Sequence, residues 1–199
     1  VTANGIGYTY RLDTRQNGFN PDTGVLLQID QDFSGISGDT TSLKTQAKLV
    51  GQTKVFKDAV TLRATLEGGV LAYSKGQSRV IDRFSMGSHV MRGFVDGSVD
   101  DALGGEQFSV ARLEADFPLG IPEEFGLSGS VFYDVGSLWG ITTSDPDVLY
   151  KDNSIRQVVG AAILWATPIG PLRFNFTKAL EKEQYDKEQD FEFTLSTQF

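Results

Sequence analysis

The sequence predicts an all-β fold, an antiparallel transmembrane β-barrel, and three observations carry that prediction. Alternation of apolar and polar residues with period two runs through most of the chain, while no useful window shows a helical period. The alternating segments are long, several near the ~10 residues that cross a bilayer at a tilt, whereas strands of globular proteins run about 5–6. Connections alternate between short turns (near 57, 120 and 169) and longer loops (75–106, 140–154, 181–189), the asymmetry of outer-membrane barrels. Aromatics near segment ends (Tyr8, Tyr10, Phe33, Phe56, Tyr73, Phe117, Tyr133, Trp139, Trp165) fit interfacial girdles. A soluble β-sandwich alternates too, but it would gain little from a last segment carrying Phe191, Phe193, Leu195 and Phe199 on one face.

The elements follow in order. In GIGYTYRLDT, Ile6, Tyr8, Tyr10 and Leu12 share one face, and FNPDTG supplies a turn. GVLLQIDQDF places Val25, Leu27, Ile29 and Phe33 opposite Gln28, Asp30 and Asp32. TSLKTQAKLVGQTKVF sets Leu43, Ala47, Leu49 and Val55 against Lys44, Gln46, Lys48, Gln52 and Lys54. After a tight turn, Val60, Leu62, Ala64, Leu66 and Val70 oppose Thr61, Arg63, Thr65 and Glu67. Beyond a long loop, Ala111, Leu113, Ala115 and Phe117 oppose Arg112, Glu114 and Asp116. LSGSVFYDVGSLW and IRQVVGAAILWATP follow, then Leu172, Phe174 and Phe176 alternate with Arg173, Asn175 and Thr177. The total is about eight or nine strands in one domain spanning 1–199.

Composition narrows the function classes. With 199 residues, net charge −8 and pI about 4.6, the chain lacks the basic patches that neutralise phosphates, so no nucleic-acid partner is expected. Mean hydropathy is an ordinary −0.18, which a barrel shares with soluble proteins because lipid-facing and lumen-facing residues average out. There is no cysteine, hence no disulfide or thiolate chemistry. With no initiator Met and no leader, a mature or excised piece is expected.

No catalytic or metal constellation is visible. His89 is the lone histidine and reads as a loop residue, since a triad or metal site needs several convergent groups. DFSGISGDT and DGSVDD lack the alternating register of a calcium loop. EKEQYDKEQ, with Tyr185 at its centre, reads as a solvated charge run. Counting faces, Leu113 and Phe117 outward put Glu114 into the lumen, and Val131, Tyr133 and Val135 outward do the same for Asp134. Two carboxylates there suggest a glycosidase pair, but no sugar-binding cleft accompanies them, and no enzyme is expected.

Four pieces together resemble a known family: VMRGF (90–94) followed by LGGEQ (103–107); ARLEADFPLGIP (111–122); GSVFYDVGSLWG (129–140); and ILWATPIGPLRFNFTKAL (163–180) before an aromatic-ended strand. Their order and spacing are similar to the C-terminal half of the sixteen-stranded barrel of BamA-type outer-membrane protein assembly factors, the bacterial surface antigen family, in an alphaproteobacterial version. The resemblance implies an insertase of the bacterial outer membrane, without cofactor or ATP, that contacts lipid, unfolded outer-membrane clients and accessory lipoproteins. It implies that the loop folds back into the lumen, with Arg92 meeting Glu114 and Asp134, Gly93 permitting the tip, Phe94 packing on the inner wall and Val90 completing the motif. Such an ion pair is expected to be partly exposed and so to set loop position rather than gross stability. It further implies that Phe191–Phe199 forms one side of a lateral gate. Departures are VDGSVDD where Gly-Pro is frequent, Glu106 where Asn is commoner, and Ser196 where Gly often stands. Alternatives are a two-partner secretion or translocation pore of the same superfamily, or a small stand-alone structural or pore barrel closed by these strands alone. A half barrel with open edges is expected to self-associate through them.

Overall fold

Among the described residues the alternating segments become nine strands. A computed structural model describes residues 4–15, 23–35, 40–76, 78–96, 103–141, 153–168 and 170–195. The strands are β1 (Gly5–Asp13), β2 (Gly24–Ser34), β3 (Thr41–Val55), β4 (Val60–Lys75), β5 (Gln107–Pro118), β6 (Leu127–Trp139), β7 (Arg156–Thr167), β8 (Gly170–Glu181) and β9 (Phe191–Leu195). Each pairs antiparallel with its neighbours in sequence, giving one nine-stranded sheet in the order β1 to β9. Among the described residues β1 and β9 do not pair, so the wall stays open and these strands alone do not form the small closed barrel. Among the described residues no helix is long and apolar enough to cross a membrane.

The alternation decides which face each residue takes. Leu62, Leu66, Leu113, Val131, Ile163 and Phe176 stand 41–57% exposed on the outside, where lipid would cover them. Gln52, Thr61, Thr65, Ser130, Asn175 and Thr177 are buried on the inside. The turn between β3 and β4 is tight enough to hold Phe56, Lys57 and Asp58 all at positive φ, leaving Phe56 79% exposed at the rim. Loop asymmetry holds at most connections but reverses at the first two: 35–40, on the long-loop side, is shorter than 14–23 on the other. Tyr73 also departs from expectation. It faces inward against the apolar core and donates to Asp82 Oδ2 at 3.0 Å, so it is not a girdle residue.

The apolar core lies inside the wall. Leu71, Phe108, Val110, Leu138 and Val158 point inward from four strands, β4 to β7, and pack on Phe84, Met86, Val90, Met91 and Phe94 of the β4–β5 loop. The loop is therefore a plug with its own hydrophobic seat, which burial of apolar area stabilises.

Candidate functional site

The plug is fastened at its base before it reaches the lumen. Phe84 and Gly105 form a β-bridge, with Phe84 N donating to Gly105 O at 2.8 Å and Gly105 N returning to Phe84 O at 3.0 Å. Arg79 donates to Asp82 at 2.7 and 3.0 Å, and this guanidinium holds the Asp82 carboxyl below the usual carboxylate range. A turn follows, in which Val90 N and Met91 N donate to Gly87 O at 2.9 and 2.8 Å and Asp96 Oδ1 accepts from Ser88 N at 2.7 Å. The His89 side chain stays 68% exposed on this turn.

The turn delivers Arg92 into the wall. Its backbone N, Nε and Nη2 donate to Asp134 at 3.2, 2.8 and 2.6 Å, and its Nη1 donates to Glu114 Oε2. The planar guanidinium suits this two-carboxylate task. Its face lies over the Phe132 ring, 3.6 Å from the centroid. Register explains the arrangement: Glu114 sits opposite Phe132, and Asp134 opposite Arg112, so the two acids are diagonal neighbours with Phe132 between them. Arg112 turns away to Glu67 at 2.7 Å and leaves Asp134 to Arg92. Side-chain exposure is 11% for Arg92, 8% for Glu114 and 0% for Asp134, so the pair is buried rather than partly exposed. The inward tilt of a loop packed on its own apolar seat excludes the water that the sequence expectation assumed.

Glu114 has two further partners that sequence reasoning missed. Arg63 Nη1 donates to its Oε1 at 2.6 Å, and Arg173 donates to both oxygens at 3.1 and 2.9 Å. With Asp116 3.5 Å from Arg63, three arginines face three carboxylates. That balance matters, because a buried uncompensated charge is costly. Their signal was present: Arg63 and Arg173 occupy the polar parity of β4 and β8.

Gly93 and Phe94 complete the tip. Gly93 has φ +89, and a Cβ there would lie 2.8 Å from Val158 Cγ1. Phe94 and Met91 are fully buried and Val90 is 7% exposed. The tip also bridges to the β8–β9 loop: Phe94 pairs with Glu188, Val95 N donates to Lys187 O at 3.0 Å, and Gln189 N donates to Gly93 O at 2.9 Å. That loop is not a solvated charge run. Asp186 is 6% exposed, and its carboxylate accepts from Arg156 Nε at 2.9 Å and Nη2 at 3.3 Å. Arg156 also donates to the Tyr185 hydroxyl at 3.3 Å, and both side chains of the Arg156–Asp186 pair have 0% exposure.

On the last strand Glu192 Oε2 accepts from Asn175 Nδ2 at 3.0 Å, and Asn175 Oδ1 accepts from Arg173 Nε at 2.7 Å, which ties β9 to the arginine–carboxylate network. Phe191, Phe193 and Leu195 are 50, 51 and 44% exposed on the lipid side, with rings of Phe193 and Phe191 5.2 and 5.4 Å from those of Phe174 and Phe176. Phe199, Ser196 and most of VDGSVDD lie outside the described residues.

An open antiparallel wall plugged by an Arg-Gly-Phe loop can now be set beside known proteins. The Omp85 superfamily domain matches residues 2–199. The chain belongs to the Omp85 superfamily. It is 32% identical, over 98% of its length, to the outer membrane protein assembly factor BamA of Neorickettsia risticii, covering 27% of that protein. It is 30% identical, over 64% of its length, to the sorting and assembly machinery component 50 homolog of Bos taurus, covering 29% of it. Among solved structures, BamA from Haemophilus ducreyi lacking POTRA domains 1–3 superposes with a TM-score of 0.85 at 20% identity, over 95% of this chain and 41% of that one. The chain thus spans about a quarter of the length of the curated relatives it matches. These findings bear out the resemblance read from the four motifs. The Neorickettsia relative suggests an alphaproteobacterial version, and the Omp85 wall is one of the bacterial outer membrane.

Proposed function

We propose that this Omp85 chain supplies the C-terminal half of the barrel of an outer-membrane protein assembly factor, with β9 as one side of a lateral gate. The observation that carries the reading is the state of β9. It is an edge strand of the described sheet, as β1 is, and among the described residues it pairs with β8 along Leu172–Phe176 alone, five residue pairs against nine or more at every other seam. Lipid cannot satisfy such an edge, so an incoming strand gains a full ladder by pairing there. The client's own burial and hydrogen bonding drive the step, with no cofactor or nucleotide. The plug loop, with Arg92 on Glu114 and Asp134, keeps the lumen closed behind the gate. Accessory lipoproteins act on the full-length protein. BamA and component 50 relatives, named for assembly, support this reading over a secretion pore.

The test is disulfide trapping in the full-length protein. Single cysteines at Phe191, Glu192, Phe193, Thr194 and Leu195 are paired with cysteines along the last strand of a client. Adducts are expected in a register of period two, as two strands require. Continued client assembly with no adduct at any of the five positions sinks the gate.

A further inference from the structure

A second buried ion pair stands away from Arg92, and its place in the fold gives it a role. Arg156 begins β7, and Asp186 sits in the loop that leads into β9. Both side chains are fully buried, and the Asp186 carboxylate also accepts from Glu183 N at 2.9 Å, which folds residues 183–186 into a compact turn. Immediately after that turn the same loop receives the plug tip, through Val95 N to Lys187 O and Gln189 N to Gly93 O. Two residues later it ties to β8, where Thr177 N donates to Asp190 O at 2.9 Å and Thr177 Oγ1 to Gln189 O at 2.5 Å. β9 starts at Phe191.

We propose that Arg156 and Asp186 are positioning residues which clasp the plug tip to the β8–β9 hairpin, so that docking of Arg92 and placement of β9 are coupled. The clasp rests on the gate reading only for its functional consequence. The backbone bridge between residues 93–95 and 187–189 is held from both ends: by Arg92 on the β5–β6 wall and by Arg156 on the β7 wall. Loss of either anchor frees the shared bridge, and a freed 187–190 segment leaves β9, among the described residues, held by five residue pairs to β8. Coupling of this kind is reciprocal. Two independent anchors would instead act additively.

The experiment measures amide hydrogen exchange at Val95 and Gln189 in the full-length protein embedded in bilayer discs, for Asp186→Asn, Arg92→Ala and the double variant. Each single change is expected to speed exchange at both amides by roughly tenfold or more, and by more than at Leu49 and Leu66 in the distant β3–β4 pair, which report global opening. The double variant is expected to exchange no faster than the faster single one. Multiplied effects in the double variant overturn the coupling, as does unchanged protection of Val95 in Asp186→Asn. Should Asp186→Asn fail to assemble, Arg156→Lys keeps the charge but loses the fork, and it must speed the same two amides or the proposal falls. Client trapping at β9 is scored separately in the same variants. Coupled exchange without any client adduct leaves the clasp standing and removes the gate.

Discussion

Arg92→Ala is expected to destabilise the barrel by about 3–5 kcal/mol, the range for removing one partner of a buried ion pair. The reason lies with Asp134 more than with the arginine. Among the described residues every hydrogen bond to that carboxylate comes from Arg92, and it has no exposure to water. Glu114 fares better, since Arg63 and Arg173 remain. The alanine variant therefore leaves one orphaned buried charge, and it also loses the stacking over Phe132. Neutralising the orphan gives the decisive control. Arg92→Ala with Asp134→Asn is expected to recover a substantial part of the lost stability, whereas Arg92→Ala with Glu114→Gln is expected to lose more, because two arginines then face a neutral amide. Urea unfolding of the full-length protein, followed by the heat-dependent gel shift typical of barrels, reads all three variants against the wild type. A double variant with Asp134→Asn no more stable than Arg92→Ala would show that the orphaned charge is not the cause. The fold should survive in each case, since the ladders of β2 through β8 do not pass through Arg92.

What the chain disclosed about this cluster depended on parity. Strict alternation in β5 and β6 sends Glu114 and Asp134 inward from local sequence alone, and the same rule puts Arg63 and Arg173 on the inner face. Which of those inward groups meet depends on register and on the curvature that brings β8 back toward β4 and β5, and neither is a local property. Arg156 and Asp186 were hidden for another reason. The start of β7 reads Ile-Arg-Gln with no clear period, and Asp186 lies in a run of charges whose solvation is the ordinary outcome. Only the approach of the β8–β9 loop to the start of β7, 30 residues away in sequence, buries the pair. The inner apolar seat had a visible trace. Leu71, Phe108 and Val110 occupy inward positions that alternation reserves for polar groups, and each breach marks a place where the plug lands. Tyr73 was misread because an aromatic near a strand end serves a lipid interface or a plug equally well, and parity, not end position, distinguishes them.

Gly93→Ala tests the plug from the backbone side, with an expected loss of about 2–4 kcal/mol and an undocked tip. Two separate costs add there. At φ +89 an L-residue pays for the left-handed region, about 1–2 kcal/mol, whatever surrounds it. The new methyl then meets Val158 Cγ1 at 2.8 Å and Cγ2 at 3.1 Å, on a wall strand that cannot retreat without breaking its ladders to β6 and β8. Val158→Ala removes those two carbons, so it separates the terms: placed on Gly93→Ala, it is expected to restore part of the stability and to leave the conformational share unrelieved. Placed on the wild type, it should cost stability instead, because it opens a cavity beneath Phe94 and Met91. That reversal of sign is the readout, followed by urea unfolding and by protection of the Val95 amide. If Val158→Ala destabilises both backgrounds equally, the tip does not press on β7, and Gly93 is needed for its φ alone.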